Sequence, residues 1–108
     1  GRIAQLEARI DRAFADLEER LPGVIRARSG LGAMQGFIIW DGNPAIASEL
    51  IEVAPEEGVL FQTAGKDPMK IRMLPPLNLS DEELTNGFEG LERALRRVGL
   101  RHGLIQAE

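Results

Sequence analysis

Apolar residues recur at Ile3, Leu6, Ile10, Phe14, Leu17 and Leu21, always three or four positions apart. That spacing lays one stripe along a helix of about 3.6 residues per turn. Arg2, Glu7, Arg9, Arg12, Glu18 and Arg20 fall on the other side. Pro22-Gly23 ends the run, because proline cannot continue a helix and glycine frees the turn. The pattern predicts a helix over 2–21. From Val24 to Arg28 apolar and basic residues alternate, as in a half-exposed strand over 24–28. A glycine-dotted stretch follows, Ser29-Gly30-Leu31-Gly32-Ala33-Met34-Gln35-Gly36. It leads into Phe37-Ile38-Ile39-Trp40, whose β-branched and aromatic side chains suit a buried strand, placed over 34–40.

Asp41-Gly42 reads as a turn, Asn43 as an N-cap and Pro44 as a first helical residue, where its missing N–H costs nothing. The helix so started, over 44–54, buries Ile46, Leu50 and Val53. Pro55 would remove a hydrogen bond and clash with the Ile51 carbonyl, so the helix ends or kinks near Ala54, with Glu56-Glu57-Gly58 as the exit turn. Val59 to Gln62 reads as a short strand, Thr63 to Pro68 as a polar loop around Gly65, and Met69 to Met73 as another strand. Ser80 and Glu83 have the spacing of a capping box ahead of a helix over 81–98, whose stripe is Leu84, Phe88, Leu91, Leu95 and Val98. Gly87 and Gly90 each weaken that helix by about 1 kcal/mol relative to alanine, so something must approach closely or packing must compensate. Gly99 is read as its C-cap and the tail to Glu108 as frayed. The order is helix, two strands, helix, two strands, helix. It describes an α+β domain over 1–108, a small antiparallel or mixed sheet of about four strands covered by three helices.

The chain has 108 residues, enough for one ordinary core, and its 44% hydrophobic and 28% charged residues are the balance of a folded domain. No apolar run approaches the roughly 20 residues of a membrane span. There is no cysteine, hence no disulfide framework or thiolate chemistry, which fits a cytoplasmic setting. The formal charge is −4, and the basic residues are scattered rather than clustered, so a nucleic-acid role is not expected. The chain opens on Gly1 already in a helical pattern, as a fragment of a longer chain or a tag remnant would.

Most residues that could carry chemistry have structural readings. Gly30, Gly32 and Gly36 precede a strand rather than a helix N-terminus, so they read as turn and close-packing glycines and not as a phosphate cradle. His102 lacks acidic or histidine neighbours at metal-ligand spacing and is read as a solvated tail residue; no metal site is expected. Met34, Met69 and Met73 are read as core filler, Trp40 as core or interface, and Lys66 and Lys70 as exposed loop and strand-edge residues. Glu56-Glu57 and Asp81-Glu82-Glu83 suit a turn and a helix N-terminus. Arg72 is the exception. It sits within Ile71-Arg72-Met73-Leu74-Pro75-Pro76-Leu77, an apolar strand ahead of a rigid exit. A guanidinium among apolar neighbours is expensive unless it meets an anion, and its planar fork suits a carboxylate. The pattern supports equally a strand-edge arginine that alternates outward to solvent.

Three blocks resemble the C-terminal small domain of the class III pyridoxal-phosphate-dependent aminotransferases, the acetylornithine, ornithine and 4-aminobutyrate enzymes. They are Ser29-Gly30-Leu31-Gly32-Ala33-Met34-Gln35-Gly36, then Glu56-Glu57-Gly58-Val59-Leu60, then Arg72 to Leu77 followed by Ser80-Asp81-Glu82-Glu83-Leu84. Their order and distances agree over nearly the whole chain. Ser29 stands where the family usually has arginine and Ala33 where it has leucine, and Pro55 interrupts the second helix.

The resemblance implies a parent enzyme, a homodimer, that moves an amino group from an amine, often an ω-amine, or an amino acid to a 2-oxo acid, with pyridoxal phosphate as electron sink. Arg72 matches the family arginine that receives a substrate carboxylate. The catalytic lysine, the aspartate on the pyridine nitrogen and the phosphate-binding residues belong to a large domain outside this chain. The chain is therefore expected to hold no catalytic residue, to bind no cofactor alone and to be inactive alone. Two other readings stay open: a stand-alone, non-catalytic interaction or oligomerisation module of the same shape, and the small domain of an aminomutase.

Overall fold

The computed structural model describes residues 1–31, 34–59, 62–64, 67–73 and 80–106. Gly32, Ala33, Leu60, Phe61, Gly65, Lys66 and the Leu74-Pro75-Pro76-Leu77 segment lie outside the described residues. The elements are α1 (Arg2–Arg20), β1 (Ile25–Leu31), β2 (Met34–Ile39), α2 (Pro44–Val53) followed by a 3-10 turn (Ala54–Glu57), β3 (Gln62–Ala64), β4 (Asp67–Met73) and α3 (Asp81–Arg101). The strands form one antiparallel sheet in the order β1-β2-β4-β3. This is the expected α+β architecture.

One face of the sheet is the core face. Ile25, Phe37, Ile39 and Ile71 are buried there, with Leu6, Ile10, Phe14 and Leu17 of α1, Leu50 of α2 and Leu91, Leu95 and Val98 of α3. Phe14 meets Phe37 edge-on at 5.5 Å and Phe88 at 4.9 Å, so one ring joins α1 to the sheet and to α3. Gln35 is 4% exposed and accepts from the Arg28 guanidinium at 3.1 Å. That guanidinium lies 4.8 Å from the Phe14 ring centroid and also reaches Asp11 at 2.7 Å. Arg28 can turn inward because β1 bulges between Arg26 and Ser29, with Ala27 at φ +50°.

Several boundaries differ from the sequence reading, each for a hydrogen-bonding reason. The first strand is not 24–28 but Ile25–Leu31, because Ser29, Gly30 and Leu31 pair with Gly36, Gln35 and Met34. The strand placed over 34–40 stops at Ile39: Trp40 takes φ +49° and its N–H donates to Val24 O. Val59 does not start the strand placed over 59–62, since its N–H closes onto Ala54 O at 3.0 Å; β3 is Gln62–Ala64. The loop expected from Thr63 to Pro68 is shorter, with Ala64 paired to Asp67, so β4 begins before Met69. Pro55 acts as expected, converting α2 into a 3-10 turn after Val53.

The last helix runs past 98 to Arg101. Gly99 is inside it rather than its cap, and His102 is the C-cap. The segment beyond folds back instead of fraying. Leu104 and Ile105 N–H both donate to Gly99 O, at 2.8 and 3.2 Å, and Ile105 covers Gly99 beside Trp40. His102 is correspondingly not a free tail residue, because its Nε2 meets Glu49 Oε2 of α2. Met69 is 37% exposed and so is not core filler. At the helix start Ser80 and Glu83 form the expected reciprocal cap, each bond 3.1 Å.

Gly90 has the close neighbour its place demanded. A Cβ there would sit 2.4 Å from Glu57 O, so the 3-10 turn rests directly on α3. Glu57 locks that contact, accepting from Arg93 Nε at 2.8 Å and from Arg97 at 3.1 Å. Gly87 meets only Val59 Cγ1, at 4.0 Å. Gly87→Ala should therefore stabilise the protein by about 0.5–1 kcal/mol through helix propensity. Gly90→Ala should destabilise it by about 1–3 kcal/mol through overpacking against a backbone carbonyl. Urea denaturation of the two variants checks the opposite signs; equal signs would refute the close contact. The same cluster sets an acid response. Hydrogen bonds from Arg93 and then Arg97 hold the Glu57 carboxyl below its ordinary 4.5. A lowered carboxyl pKa stabilises the fold above the unfolded value and loses that contribution as pH falls through the folded value. Glu57→Gln should thus flatten the loss of stability below about pH 4.5, read from melting temperature against pH.

Candidate functional site

Strand alternation puts Lys70 and Arg72 on the face opposite Ile71, which is fully buried. The outer-face positions fall into two cross-strand rows. Arg26, Ile38 and Lys70 align in one, and Ser29, Gly36, Arg72 and Gln62 in the next. Arg26 and Ser29 are exposed, while Ile38, Lys70 and Arg72 are half-buried. Arg72 is half-buried on this face and stands on an inner strand between β2 and β3, not at a strand edge.

Lys70 is likewise on an inner strand, contrary to the strand-edge reading. Its stem crosses β2 and its Nζ donates to Ser29 Oγ of β1 at 2.7 Å. The crossing depends on Gly36, where a Cβ would stand 2.8 Å from Lys70 Cε. Ser29 is the position where arginine was expected, and the cation that reaches it comes from another strand. Nothing local in the sequence pairs residues 29 and 70; only the register of three strands does so.

Seven arginines away from this face are paired with acids. Arg9, Arg20, Arg28, Arg93, Arg96, Arg97 and Arg101 each meet a carboxylate. Burial works against the ionised form of Glu92, yet hydrogen bonds from Arg20 and Arg96 leave its carboxyl below the ordinary value. Glu49 is likewise lowered, first by its hydrogen bond with His102. On the outer face, positions 26, 29, 36, 38, 70 and 72 include no carboxylate. Among the described residues no hydrogen bond or ion pair reaches the Arg72 side chain. A guanidinium is a planar fork whose geometry matches a carboxylate through two parallel N–H···O bonds.

A Schiff-base lysine belongs in a dry pocket, whereas Lys70 is half-exposed and committed to Ser29. Lys66 lies outside the described residues. Among the described residues no three or more His, Cys, Asp or Glu side chains are grouped to hold a metal ion, and no helix is long and apolar enough to cross a membrane.

No family model matches the chain. Acetylornithine aminotransferase of Xylella fastidiosa (strain Temecula1) is 40% identical over 80 residues, 74% of this chain and 19% of that protein. Diaminobutyrate–2-oxoglutarate transaminase of Virgibacillus pantothenticus is 32% identical over 90 residues, 83% of this chain and 20% of that protein. The crystal structure of N-acetylornithine aminotransferase from Stenotrophomonas maltophilia K279a superposes with a TM-score of 0.76 at 27% identity, covering 89% of this chain and 26% of that one. The chain spans about a fifth of the length of the curated relatives it matches. With sequence identity and fold in agreement along most of its length, this chain belongs to the class III aminotransferase family.

Proposed function

We propose that the chain, a single domain over 1–108, is the small-domain portion of a pyridoxal-phosphate-dependent aminotransferase, and that Arg72 receives a substrate carboxylate. The observation that carries the assignment of Arg72 is its guanidinium, half-buried on the outer sheet face with no counter-ion among the described residues. The reaction is transfer of an amino group from an amine, ω-amine or amino acid to a 2-oxo acid. Relatives named for acetylornithine, and for diaminobutyrate with 2-oxoglutarate, support that class of donor and acceptor. Pyridoxal phosphate supplies the electron sink in such an enzyme. Its holding residues and the catalytic lysine are assigned to a large domain beyond this chain. The intact enzyme is read as a homodimer, and the absence of cysteine fits a cytoplasmic setting.

What this chain contributes is binding and orientation. A carboxylate on the Arg72 fork is fixed in plane by two bonds, which aligns the reacting end of the substrate and adds no proton transfer of its own. In the intact enzyme, Arg72→Ala should raise KM for carboxylate substrates about 10- to 100-fold, the worth of a charged hydrogen-bond pair. Steady-state kinetics with a carboxylate donor check this, and unchanged KM would remove the role. The 108-residue chain supplied with pyridoxal phosphate, an amine donor and a 2-oxo acid should show no turnover. Chromatographic detection of the product amino acid would overturn that expectation.

A further inference from the structure

We propose that Ser29 is a phosphorylation site, and that a phosphate placed there closes the Arg72 site from within the same sheet face. This rests on the reading of Arg72 as a carboxylate receptor. Ser29 stands exposed on β1, an edge strand with a neighbour on one side only. That position leaves its extended backbone and its hydroxyl open to a modifying enzyme. The surroundings are cationic. Lys70 Nζ already donates to Ser29 Oγ at 2.7 Å. Arg26 is exposed and lies three residues earlier, yet the bulge keeps both on the outer face, Arg26 opposite Ile38 and Ser29 opposite Gly36. Arg28, between them in the chain, is turned away to Asp11 and Gln35. Arg26, Lys70 and Arg72 thus put three positive charges on a face whose positions 26, 29, 36, 38, 70 and 72 hold no carboxylate.

The step is transfer of the γ-phosphoryl group of a nucleoside triphosphate. Ser29 Oγ forms the new P–O bond, the bond to the nucleoside diphosphate breaks, and the hydroxyl proton leaves to solvent. The product carries close to two negative charges and three acceptor oxygens, enough to neutralise two of the three cations. Lys70 is already placed to receive one oxygen. Arg72 belongs to the same cross-strand row, Ser29–Gly36–Arg72, about 10 Å from Ser29 between Cα atoms. Gly36 raises no side chain between them, and the Lys70 stem lies low across it. A phosphoserine arm and an arginine arm together span that gap. An arginine fork takes a phosphate bidentately as it takes a carboxylate, so the tethered anion competes with substrate at high effective concentration.

The test uses the full-length enzyme that carries this chain, produced with phosphoserine encoded at position 29. The same protein after phosphatase treatment is the reference. Phosphorylation should raise KM for a carboxylate donor about tenfold and leave kcat within about twofold, the signature of lost substrate binding. In an Arg72→Ala background the phosphate should add no further rise, which a general disturbance of the sheet would not reproduce. If KM is unchanged by phosphorylation while Arg72→Ala still raises it, Arg72 keeps its role and the proposal is overturned. If Arg72→Ala changes nothing, the reading of Arg72 fails and this inference fails with it. Acceptance of the phosphate is measured on the unmodified enzyme with ATP and an arginine-directed serine kinase. Mass spectrometry should find phosphate on the peptide containing Ser29, and Arg26→Gln should slow its incorporation several-fold. No phosphate on that peptide overturns the site itself.

Discussion

Phe14 is the point on which the architecture turns. Its ring touches Phe37 of β2 and Phe88 of α3 edge-on, and Arg28 lies against it. Burying one such ring contributes about 1.5–3 kcal/mol, and each edge-on partner adds about 0.5–1.5 kcal/mol. The consequence for function is directional. Because the aromatic cluster draws α1 and α3 toward the Phe37 side of the sheet, the residues that alternate with it, Gly36 and Ile38 on β2 and Lys70 and Arg72 on β4, share the other side. A candidate binding surface exists on this domain because the core was satisfied on one face only.

The helical layer is tied together by charge as well as by packing. Glu57 holds Arg93 and Arg97, Glu92 holds Arg20 and Arg96, and Glu49 meets Arg101 and His102. Partly exposed pairs of this kind each contribute little. Their value lies in placement: they join α1, α2 and the 3-10 turn to α3, and they pair the four arginines of α3. What remains on the sheet face is positive, on a chain whose net charge is −4. An acidic protein thus presents a locally cationic surface, which bulk composition conceals.

Element types were legible because each depends on short spacings. The stripes of α1 and α3, the Ser80–Glu83 cap and the Asn43-Pro44 start involve residues no more than one turn from their neighbours along the chain, and α1, α2 and α3 appear where those signals lie. Strand limits were less legible. Ser29 to Leu31 read as a turn because glycine and serine disfavour strands, yet pairing with Met34, Gln35 and Gly36 overrides that preference. The end of α3 was misjudged for a related reason. Gly99 has the composition of a cap, but it is needed where Ile105 and Trp40 close over the helix.

The residues 70 to 72 show where linear information stops. Alternation alone allowed Arg72 a buried or an outward place, with no means to choose, because the choice depends on which face the helices cover. Lys70 was misread as peripheral because its partner is 41 positions away. Local spacing and composition therefore carried the α+β class, the helix starts and the break at Pro55, and the resemblance of three short blocks carried the kinship to aminotransferases. Strand order, the covered face, the Lys70–Ser29 bond and the seat of Gly90 on the Glu57 carbonyl depend on contacts between segments distant in the chain. Such contacts arise from the packing of the whole domain and leave no period in the sequence.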